Sequence, residues 1–482
     1  MRKAVVSLCF LLLIPGLATP EEANSRFAPG VRAFIREDAP VIALVGVRVV
    51  DGTGAAPRTN QTLVISGGKI AALGPTETTK PPANAKVLDL AGRTVIPGLV
   101  GMHEHMYYPS PGRGVPLYPQ HASSFPRLYL AGGVTSIRTA GSVEPYTDLE
   151  LKQAIDKGNL AGPKIHVTGP YLEGPGAFVL QMRELKDAED ARRTVEYWIA
   201  EGVTSFKAYM DITPEELAAA IKAAHAHGIK VTGHLCSIGF REAAASGIDN
   251  LEHGLIVDTE FFPGKKPGLC PDDTDAVNKG LIDIDLSGAP MQEMIRDLVA
   301  HHVAITSTLP VFETLVPNRA PIDQRVLDAL LPETRIAYLE TRSRVSDNAA
   351  KSYWPALFQK ELLFEREFVK RGGLLLAGLD PTGYGGVIAG FGDQREVELL
   401  VDAGFTPLEA IHIATANGAQ FLGELDTIGT LAPGKVADIV VLSGDPSADI
   451  KNIEKVELVF KDGVAYDSAK LIDSVKGQVG LH

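Results

Sequence analysis

The sequence predicts an α/β fold, a (β/α)8 TIM barrel with a small β-sandwich domain built from both chain ends. Short apolar runs alternate with amphipathic helical patterns between residues 96 and 423, which is typical of a barrel of parallel strands. Short strand patterns separated by turns lie on either side, at residues 41–95 and 424–475. We therefore expect the two ends to form the β domain together and the middle to form the barrel.

The β domain is predicted from β-branched runs and glycine turns. Residues 41–50 are apolar and β-branched, and residues 61–66 and 69–73 flank the pair Gly67-Gly68, which suits a hairpin. The C-terminal part of the β domain shows the same pattern of short strands and turns, with runs at residues 427–431, 437–442 and 456–461.

Eight runs are expected to form the barrel strands: residues 94–103, 135–138, 164–168, 204–207, 230–234, 250–253, 304–307 and 374–380. Helical patterns lie between most of them. One predicted helix, Pro214–His225, has Thr213 as its N-cap and proline as its first residue. Another, at residues 408–422, has Thr406 as its N-cap. Residues 259–288, rich in glycine, proline and aspartate, are expected to form a long loop or lid.

Charge and the N-terminal residues limit the partners and location of the chain. A net charge of −13 over 482 residues argues against nucleic acid and against an anionic membrane surface. Residues 1–18 have the basic start, short apolar core and small residues of a signal peptide. We therefore expect a periplasmic or secreted protein with no membrane association after signal removal. Two cysteines, Cys236 and Cys270, remain after signal removal, and their spacing leaves open whether they form a disulfide.

A pair of histidines is the first indication of chemistry. His103 and His105 directly follow an apolar run that is expected to be a buried strand. Side chains two apart on a strand point the same way, so both imidazoles can reach one metal ion. Taken alone, such a pair is also found as surface or packing histidines.

Four later strands each end in another chemically capable residue. These residues are Lys207, His234, His253 and Asp380, at strands 4, 5, 6 and 8. Each alone has an ordinary explanation, as a solvated histidine or a helix-capping aspartate. Because the carboxyl ends of barrel strands share one face, we expect all of them to meet there in a metal site.

This order of residues, framed by a β domain made of both chain ends, resembles the amidohydrolase superfamily. Three further strings carry the resemblance: residues 95–103 (VIPGLVGMH), 414–417 (ATAN) and 429–440 (GTLAPGKVADIV). The resemblance covers nearly all of the mature chain, and it is strongest to the imidazolonepropionase-like and Xaa-dipeptidase-like branches.

The resemblance implies a centre of two divalent metal ions, most often zinc. It implies one ion held by His103, His105 and Asp380, the other held by His234 and His253, and Lys207 bridging both as N6-carboxylysine. A hydroxide between the metals would be the nucleophile. Asp380 would then take its proton and deliver it to the leaving amine.

Three other residues are expected at the substrate, each with an alternative. Glu173 resembles a glutamate that ligates metal in N-acetylglucosamine-6-phosphate deacetylases, which lack the strand-4 lysine, so we expect a substrate or loop residue and leave the ligand role open. Tyr209 resembles the tyrosine of dipeptidase-like members and is expected to donate a catalytic hydrogen bond to substrate, or else to pack under the lid. Arg138 either binds a substrate carboxylate or pairs with an acid in the barrel.

The expected function is metal-dependent hydrolysis of an amide or peptide C–N bond in a dipeptide or an N-acyl amino acid. A lactonase or a cyclic-amide hydrolase is the alternative enzyme. Imidazolonepropionase itself has a histidine where Lys207 stands, which argues against that particular activity. A non-catalytic scaffold is the alternative from another class. The expected partners are the small-molecule substrate and a second copy of the chain in a homo-oligomer.

Overall fold

The structure is a computed structural model that describes residues 26–110 and 117–481, so the predicted signal peptide lies outside the described residues. The strands are β1 (Ile35–Glu37), β2 (Val41–Val49), β3 (Arg58–Ser66), β4 (Lys69–Pro75), β5 (Lys86–Asp89), β6 (Thr94–Pro97), β7 (Leu99–Glu104), β8 (Val134–Thr139), β9 (Lys164–His166), β10 (Ser205–Ala208), β11 (Lys230–Gly233), β12 (Asn250–Glu252), β13 (Ala304–Ser307), β14 (Leu375–Ala377), β15 (Ile439–Leu442), β16 (Val456–Lys461) and β17 (Val464–Asp467).

The α-helices are α1 (Pro29–Arg32), α2 (Ser124–Ala131), α3 (Pro145–Asp156), α4 (Ala188–Glu201), α5 (Pro214–His225), α6 (Phe240–Ala245), α7 (Thr274–Asp283), α8 (Ala289–Ala300), α9 (Leu309–Glu313), α10 (Gln324–Ala329), α11 (Pro332–Asp347), α12 (Trp354–Lys370), α13 (Phe391–Asp402), α14 (Pro407–His412), α15 (Gly418–Leu422) and α16 (Ser468–Asp473). A π-helical turn, Ile413–Asn417, joins α14 to α15. Within the described ranges, no helix combines the length and apolar character needed to cross a membrane.

The two chain ends form one sheet. In the described residues its strands run in the order β1-β17-β16-β15-β6-β2-β3-β4, and β5 pairs with β2. The predicted hairpin is present, because Ser66 pairs with Lys69 across the two glycines. One face of the sheet buries aliphatic side chains such as Leu44, Leu63 and Val441. Apolar burial of this kind is what holds the two distant chain segments together.

Two strand predictions in this region are wrong. Residues 427–431 form turns rather than a strand: the amides of Thr427 and Ile428 both donate to the carbonyl of Glu424, and Gly429 is left-handed with φ +81°. Residues 94–103 are not one strand but two, because β6 pairs with β15 of the end sheet and β7 with β8 of the barrel. The chain changes sheets at Gly98, where a Cβ would collide with Thr135.

The barrel prediction is confirmed, and its eight strands follow one another in chain order. β7, β8 and β9 are parallel, as are β10 to β14, and a parallel bridge between Thr168 and Ser205 links the two groups. The amide of Asp380, just beyond β14, donates to the carbonyl of His103 in β7 at 3.1 Å. Counted from β7 as barrel strand 1 to β14 as barrel strand 8, the ends of strands 1 and 8 therefore lie side by side.

Capping signals in the sequence place the helices well. α5 spans Pro214–His225 as predicted, and Thr213 and Glu216 form its capping box. Thr406 and Glu409 form the same motif at the start of α14. The long loop predicted at residues 259–288 is only partly a loop, since Asp273 caps the helix α7 inside it.

The two cysteines left open by the sequence form a disulfide. The bond joins Cys236, just after β11, to Cys270 in the segment that leads to α7, with 4.9 Å between their Cα atoms. It therefore ties this segment to the end of strand 5. Disulfides persist in oxidising compartments, which is compatible with export; export itself stays a prediction.

Buried glutamates behind the barrel wall predict a pH-dependent stability. Glu365 on α12 is 1% exposed and lies near Glu361, Glu396 and the hydroxyl of Ser307. Burial raises the pKa of Glu365 to about 8. The folded state then holds a proton that the unfolded chain releases near its usual pKa of about 4.3. Stability should fall as the pH rises from about 5 through about 8.

The substitution Glu365→Gln should weaken this dependence, because the amide stays neutral at every pH. We expect the melting temperature of the variant to fall less between pH 6 and pH 9 than that of the parent, measured by thermal unfolding. Glu340→Gln, at an exposed position on α11, is the control and should leave the dependence unchanged. Identical pH profiles for parent and Glu365→Gln would contradict a proton on this carboxyl.

Candidate metal centre

Six side chains predicted from the sequence meet at the carboxyl end of the barrel. His103 lies within β7 and Lys207 within β10. The other four lie just beyond the ends of barrel strands: His105, His234, His253 and Asp380. This is the face on which barrel enzymes carry their active sites.

Asp380 lies between histidines of strands 1 and 6. Its Oδ1 is 3.4 Å from Nε2 of His105 and 3.8 Å from Nε2 of His103. Its Oδ2 is 3.9 Å from Nδ1 of His253. The ring of His234 is next, with its centroid 4.5 Å from that of His253. The carboxylate and the four imidazoles therefore form one continuous cluster.

Lys207 lies among imidazoles and aromatic rings. Its Nζ is 3.1 Å from Nε2 of His103 and 5.9 Å from the ring centroids of both Tyr171 and Tyr209. Burial lowers the pKa of Lys207 to about 8. The amine can therefore lose its proton far more easily than an exposed lysine.

The backbone is held in unusual conformations at two of these residues. His253 has φ +72° and Asp380 has φ +51°, a left-handed region that non-glycine residues rarely adopt. Beside Asp380, a Cβ at Gly378 would collide with His103, so glycine allows strands 1 and 8 to approach. Such conformations cost free energy and are concentrated at functional sites.

The electrostatics of the cluster favour neutral histidines and an ionised carboxylate. Burial lowers the pKa of His103 and His253, and lowers that of His105 to about 4 and that of His234 to about 3. Burial opposes charge on Asp380, but the neighbouring histidines hold the pKa of its carboxyl well below the usual range. Neutral imidazole and carboxylate are the forms that bind divalent metals.

The residues fit a divalent cation. His103, His253 and Asp380 each offer a ligand atom, and these atoms lie within 4.8 Å of one another. Oδ1 of Asp380 and Nδ1 of His105 are buried and have no hydrogen bond of good geometry to any described residue. Buried polar atoms without partners are costly unless something else binds them. A metal ion bound among the converging atoms would satisfy the Asp380 oxygen, whereas His105 faces Asp380 with Nε2 rather than Nδ1.

Two supporting residues were not predicted from the sequence. Oε2 of Glu252 lies 2.8 Å from Nδ1 of His103, and the hydroxyl of Thr308 lies 2.8 Å from Nδ1 of His253. A signal for Glu252 was present, since it and Asn250 alternate as polar residues in a strand that is buried throughout. Contacts of this kind orient the imidazoles of metal sites.

Arg138 lies beneath the cluster and pairs with a barrel acid, one of the alternatives that the sequence left open. Its Nη2 donates to Oε1 of Glu252 at 2.8 Å, and the side chain is 1% exposed. Glu173 is buried in the loop after β9, where its Oε1 accepts hydrogen bonds from the amides of Gly174 and Asp211. Like His105 and His234, it is not one of the three residues whose ligand atoms lie within 4.8 Å of one another.

Aromatic side chains surround the cluster. Tyr107 stacks on His105 with centroids 4.4 Å apart, Tyr209 meets His234 edge-on at 5.0 Å, and Phe312 meets His253 at 5.7 Å. Two outer rings extend this wall: Phe178, which is 48% exposed, stacks on Tyr209, and Trp354 stacks on Phe312. The site therefore has an apolar surround with a polar centre.

A separate cavity of about 460 Å³ lies elsewhere, beside the start of β9. Several charged groups along it take part in ion pairs. Lys164 binds Asp438 and Asp462 at 2.8 and 3.1 Å, and His166 lies 3.6 Å from Glu424. Among the described residues, this cavity does not gather a set of converging ligand atoms like that of the histidine cluster.

The sequence matches the amidohydrolase family over residues 94–285 and 378–465, more than half of the chain. Imidazolonepropionase of Geobacillus kaustophilus is 23% identical over 420 residues, which cover 84% of this chain and 89% of that protein. Enamidase of Eubacterium barkeri is 30% identical over 186 residues, 36% of this chain. That match spans only 44% of the enamidase, less than half of its length.

A solved structure shares the architecture. The crystal structure of a putative prolidase from Bifidobacterium longum is 26% identical, with a TM-score of 0.64. The match covers 91% of this chain and 100% of the other. The likeness therefore extends over both the barrel and the additional domain.

Proposed function

The chain belongs to the amidohydrolase family, whose members include enzymes that act on C–N bonds, and we propose that it hydrolyses the amide bond of a dipeptide or an N-acyl amino acid. The observation that carries the proposal is the cluster in which Lys207, 3.1 Å from His103, meets four imidazoles and Asp380. A lysine buried among histidines suits metal-dependent hydrolysis, whereas a scaffold would have no need of it.

We propose that the cluster binds two divalent ions and that the metal is zinc. His103, His105 and Asp380 would hold one ion, and His234 and His253 the other. When bound, the ions would lower the pKa of a shared water and polarise the scissile carbonyl. We assign Glu173 to the loop or the substrate, since its Oε1 accepts from two backbone amides. Its buried Oε2, which has no hydrogen bond of good geometry within the described chain, is the atom that would bind metal in the alternative.

Lys207 would bridge the two metal positions as N6-carboxylysine. An ammonium group has no lone pair for a metal, but the neutral amine can add to CO2 and lose a proton to give a carbamate. The carbamate presents two oxygens, as a carboxylate does. The low pKa of Lys207, about 8, supports this role, since a larger fraction of the amine is neutral near pH 7.

Asp380 would move the proton during the reaction. In the described chain its buried Oδ1 has no hydrogen bond of good geometry. One carboxylate oxygen would hold the metal ion, and the other would accept a proton from the attacking water. The same oxygen can then donate that proton to the leaving nitrogen, which must be protonated before the C–N bond breaks.

The surround of the centre supports a substrate with an apolar side group. Phe312 contacts His253 and Tyr209 contacts His234. Trp354 stacks on Phe312, and Phe178 stacks on Tyr209. Tyr209 would donate its hydroxyl to a substrate carbonyl or carboxylate. The likeness to a putative prolidase adds support for a dipeptide.

Hydrolysis of a cyclic amide or a lactone is the second candidate. The same centre would attack any activated carbonyl, and the match to an imidazolonepropionase runs over 84% of this chain. Linear and cyclic substrates differ in where the leaving group goes, since a ring keeps it attached to the product. A direct comparison of the two classes therefore separates the candidates.

The experiment is elemental analysis of purified protein followed by an activity screen. We expect close to two divalent metals per chain after expression with zinc. The metal-loaded protein should turn over dipeptides and N-acyl amino acids with apolar side groups faster than cyclic amides or lactones, and chelation should abolish turnover. Only trace metal would contradict the two-metal proposal, and a single tightly held metal would favour ligation by Glu173. Turnover of the cyclic substrates alone would establish the second candidate.

A further inference from the structure

We propose that Glu252 and Arg138 act as a buried positioning pair that aims His103 at the metal centre. The inference rests on the proposed metal-dependent function and adds two residues that touch neither metal nor substrate. It also gives Arg138 a role different from carboxylate recognition.

Glu252 connects His103 to Arg138. Its Oε2 accepts from Nδ1 of His103 and its Oε1 accepts from Nη2 of Arg138, both at 2.8 Å. With Nδ1 donating to Glu252, the lone pair of His103 lies on Nε2. That atom is 3.1 Å from Nζ of Lys207 and 3.8 Å from Oδ1 of Asp380, so it faces the proposed metal positions.

Arg138 is bound on several sides and cannot reach substrate. Besides Glu252, it donates to the carbonyl of Met102 and, at 3.3 Å, to the hydroxyl of Thr232. These partners come from β12, β7 and β11, and Arg138 itself comes from β8. One guanidinium therefore joins four barrel strands directly beneath the histidines.

The pair is electrically balanced, which explains why both members are needed. Glu252 alone would be an uncompensated buried carboxylate, and Arg138 alone an uncompensated buried cation, and either is strongly destabilising. Together they supply His103 with a strong acceptor while adding no net charge to the centre. His253 is oriented more simply, by the neutral hydroxyl of Thr308.

The test measures zinc affinity by competition with a chelator in the zinc-loaded protein. Glu252→Gln keeps the size of the side chain but replaces the charged acceptor, and loss of such an outer partner typically weakens metal binding about 10–100-fold. We expect a loss in that range. Glu365→Gln, at a buried glutamate outside the centre, is the matched control and should bind zinc like the parent.

A second variant separates positioning from folding. Arg138→Met combined with Glu252→Met replaces the ion pair by apolar side chains, a change that folded proteins often tolerate. This variant should melt near the parental temperature without metal, yet still bind zinc at least about tenfold more weakly.

Three results would overturn the positioning role. The first is a zinc affinity within about threefold of the parent in either folded variant. The second is loss of folding in both variants, since it would make the pair purely structural. The third is a zinc affinity that Glu365→Gln weakens as much as Glu252→Gln does. A parent protein that binds no zinc would instead refute the proposed function, so the two failures are distinguishable.

Discussion

Asp380→Asn should lower turnover at least about 100-fold while the protein keeps its fold and much of its metal. The variant cannot accept a proton from water or return one to the leaving nitrogen, and general acid–base catalysis contributes roughly 10²–10⁴-fold in rate. Asparagine has the same size and retains one oxygen. It also tolerates the left-handed backbone at this position, where φ is +51°, better than most residues.

The measurement is steady-state kinetics with the best substrate of the screen, together with metal content and melting temperature. We expect a large change in kcat and a smaller one in KM, as for an interaction made in the transition state. Asp347→Asn, on the exposed side of α11, is the control for the same chemical change and should behave like the parent. A folded, metal-loaded Asp380→Asn protein with turnover within a few-fold of the parent would reduce Asp380 to a structural residue.

Lys207→Ala should remove both metal and activity. If the carbamate bridges two ions, its loss takes a ligand from each of them and exposes the two cations to each other's charge. Short carboxylic acids should partly restore metal binding and turnover, because a carboxylate can occupy the space vacated by the carbamate. Elemental analysis and kinetics with and without added acid measure both effects.

The control for this substitution is Lys222→Ala, an exposed lysine on α5, which should keep parental metal and turnover. Removing bicarbonate and CO2 from metal-free parent protein before metal is added should slow its reactivation, since the carbamate cannot form without CO2. Full metal content and normal turnover in Lys207→Ala would leave the bridging role without support.

Local order along the chain was sufficient to predict much of the fold. The barrel followed from alternating strand and helix patterns, because side-chain periodicity is a property of neighbouring residues. The start of α5 at Pro214 followed from the N-cap Thr213 and the proline after it, which are also neighbouring residues. The six polar residues at strand ends were identifiable because a parallel barrel gathers all its carboxyl ends on one face, whatever lies between them.

Where the chain leaves one sheet for another could not be predicted in this way. An unbroken strand at residues 94–103 fits the local pattern as well as β6 and β7 do. The break at Gly98 is set by β15, which pairs with β6 from the other end of the chain, and by the close approach of Thr135. The pattern of apolar and polar residues within a segment does not reveal which distant strand it will pair with.

The sequence by itself determined the barrel, the family and which residue types meet at the candidate metal centre. Only the tertiary structure decided how they are supported: that His103 is bound by Glu252, 149 residues away, that Arg138 serves this pair, and that Cys236 joins Cys270. The physical reason is that hydrogen bonds and disulfides depend on distances of a few ångströms between side chains remote in sequence. Those distances exist only once the strands have closed around a common interior.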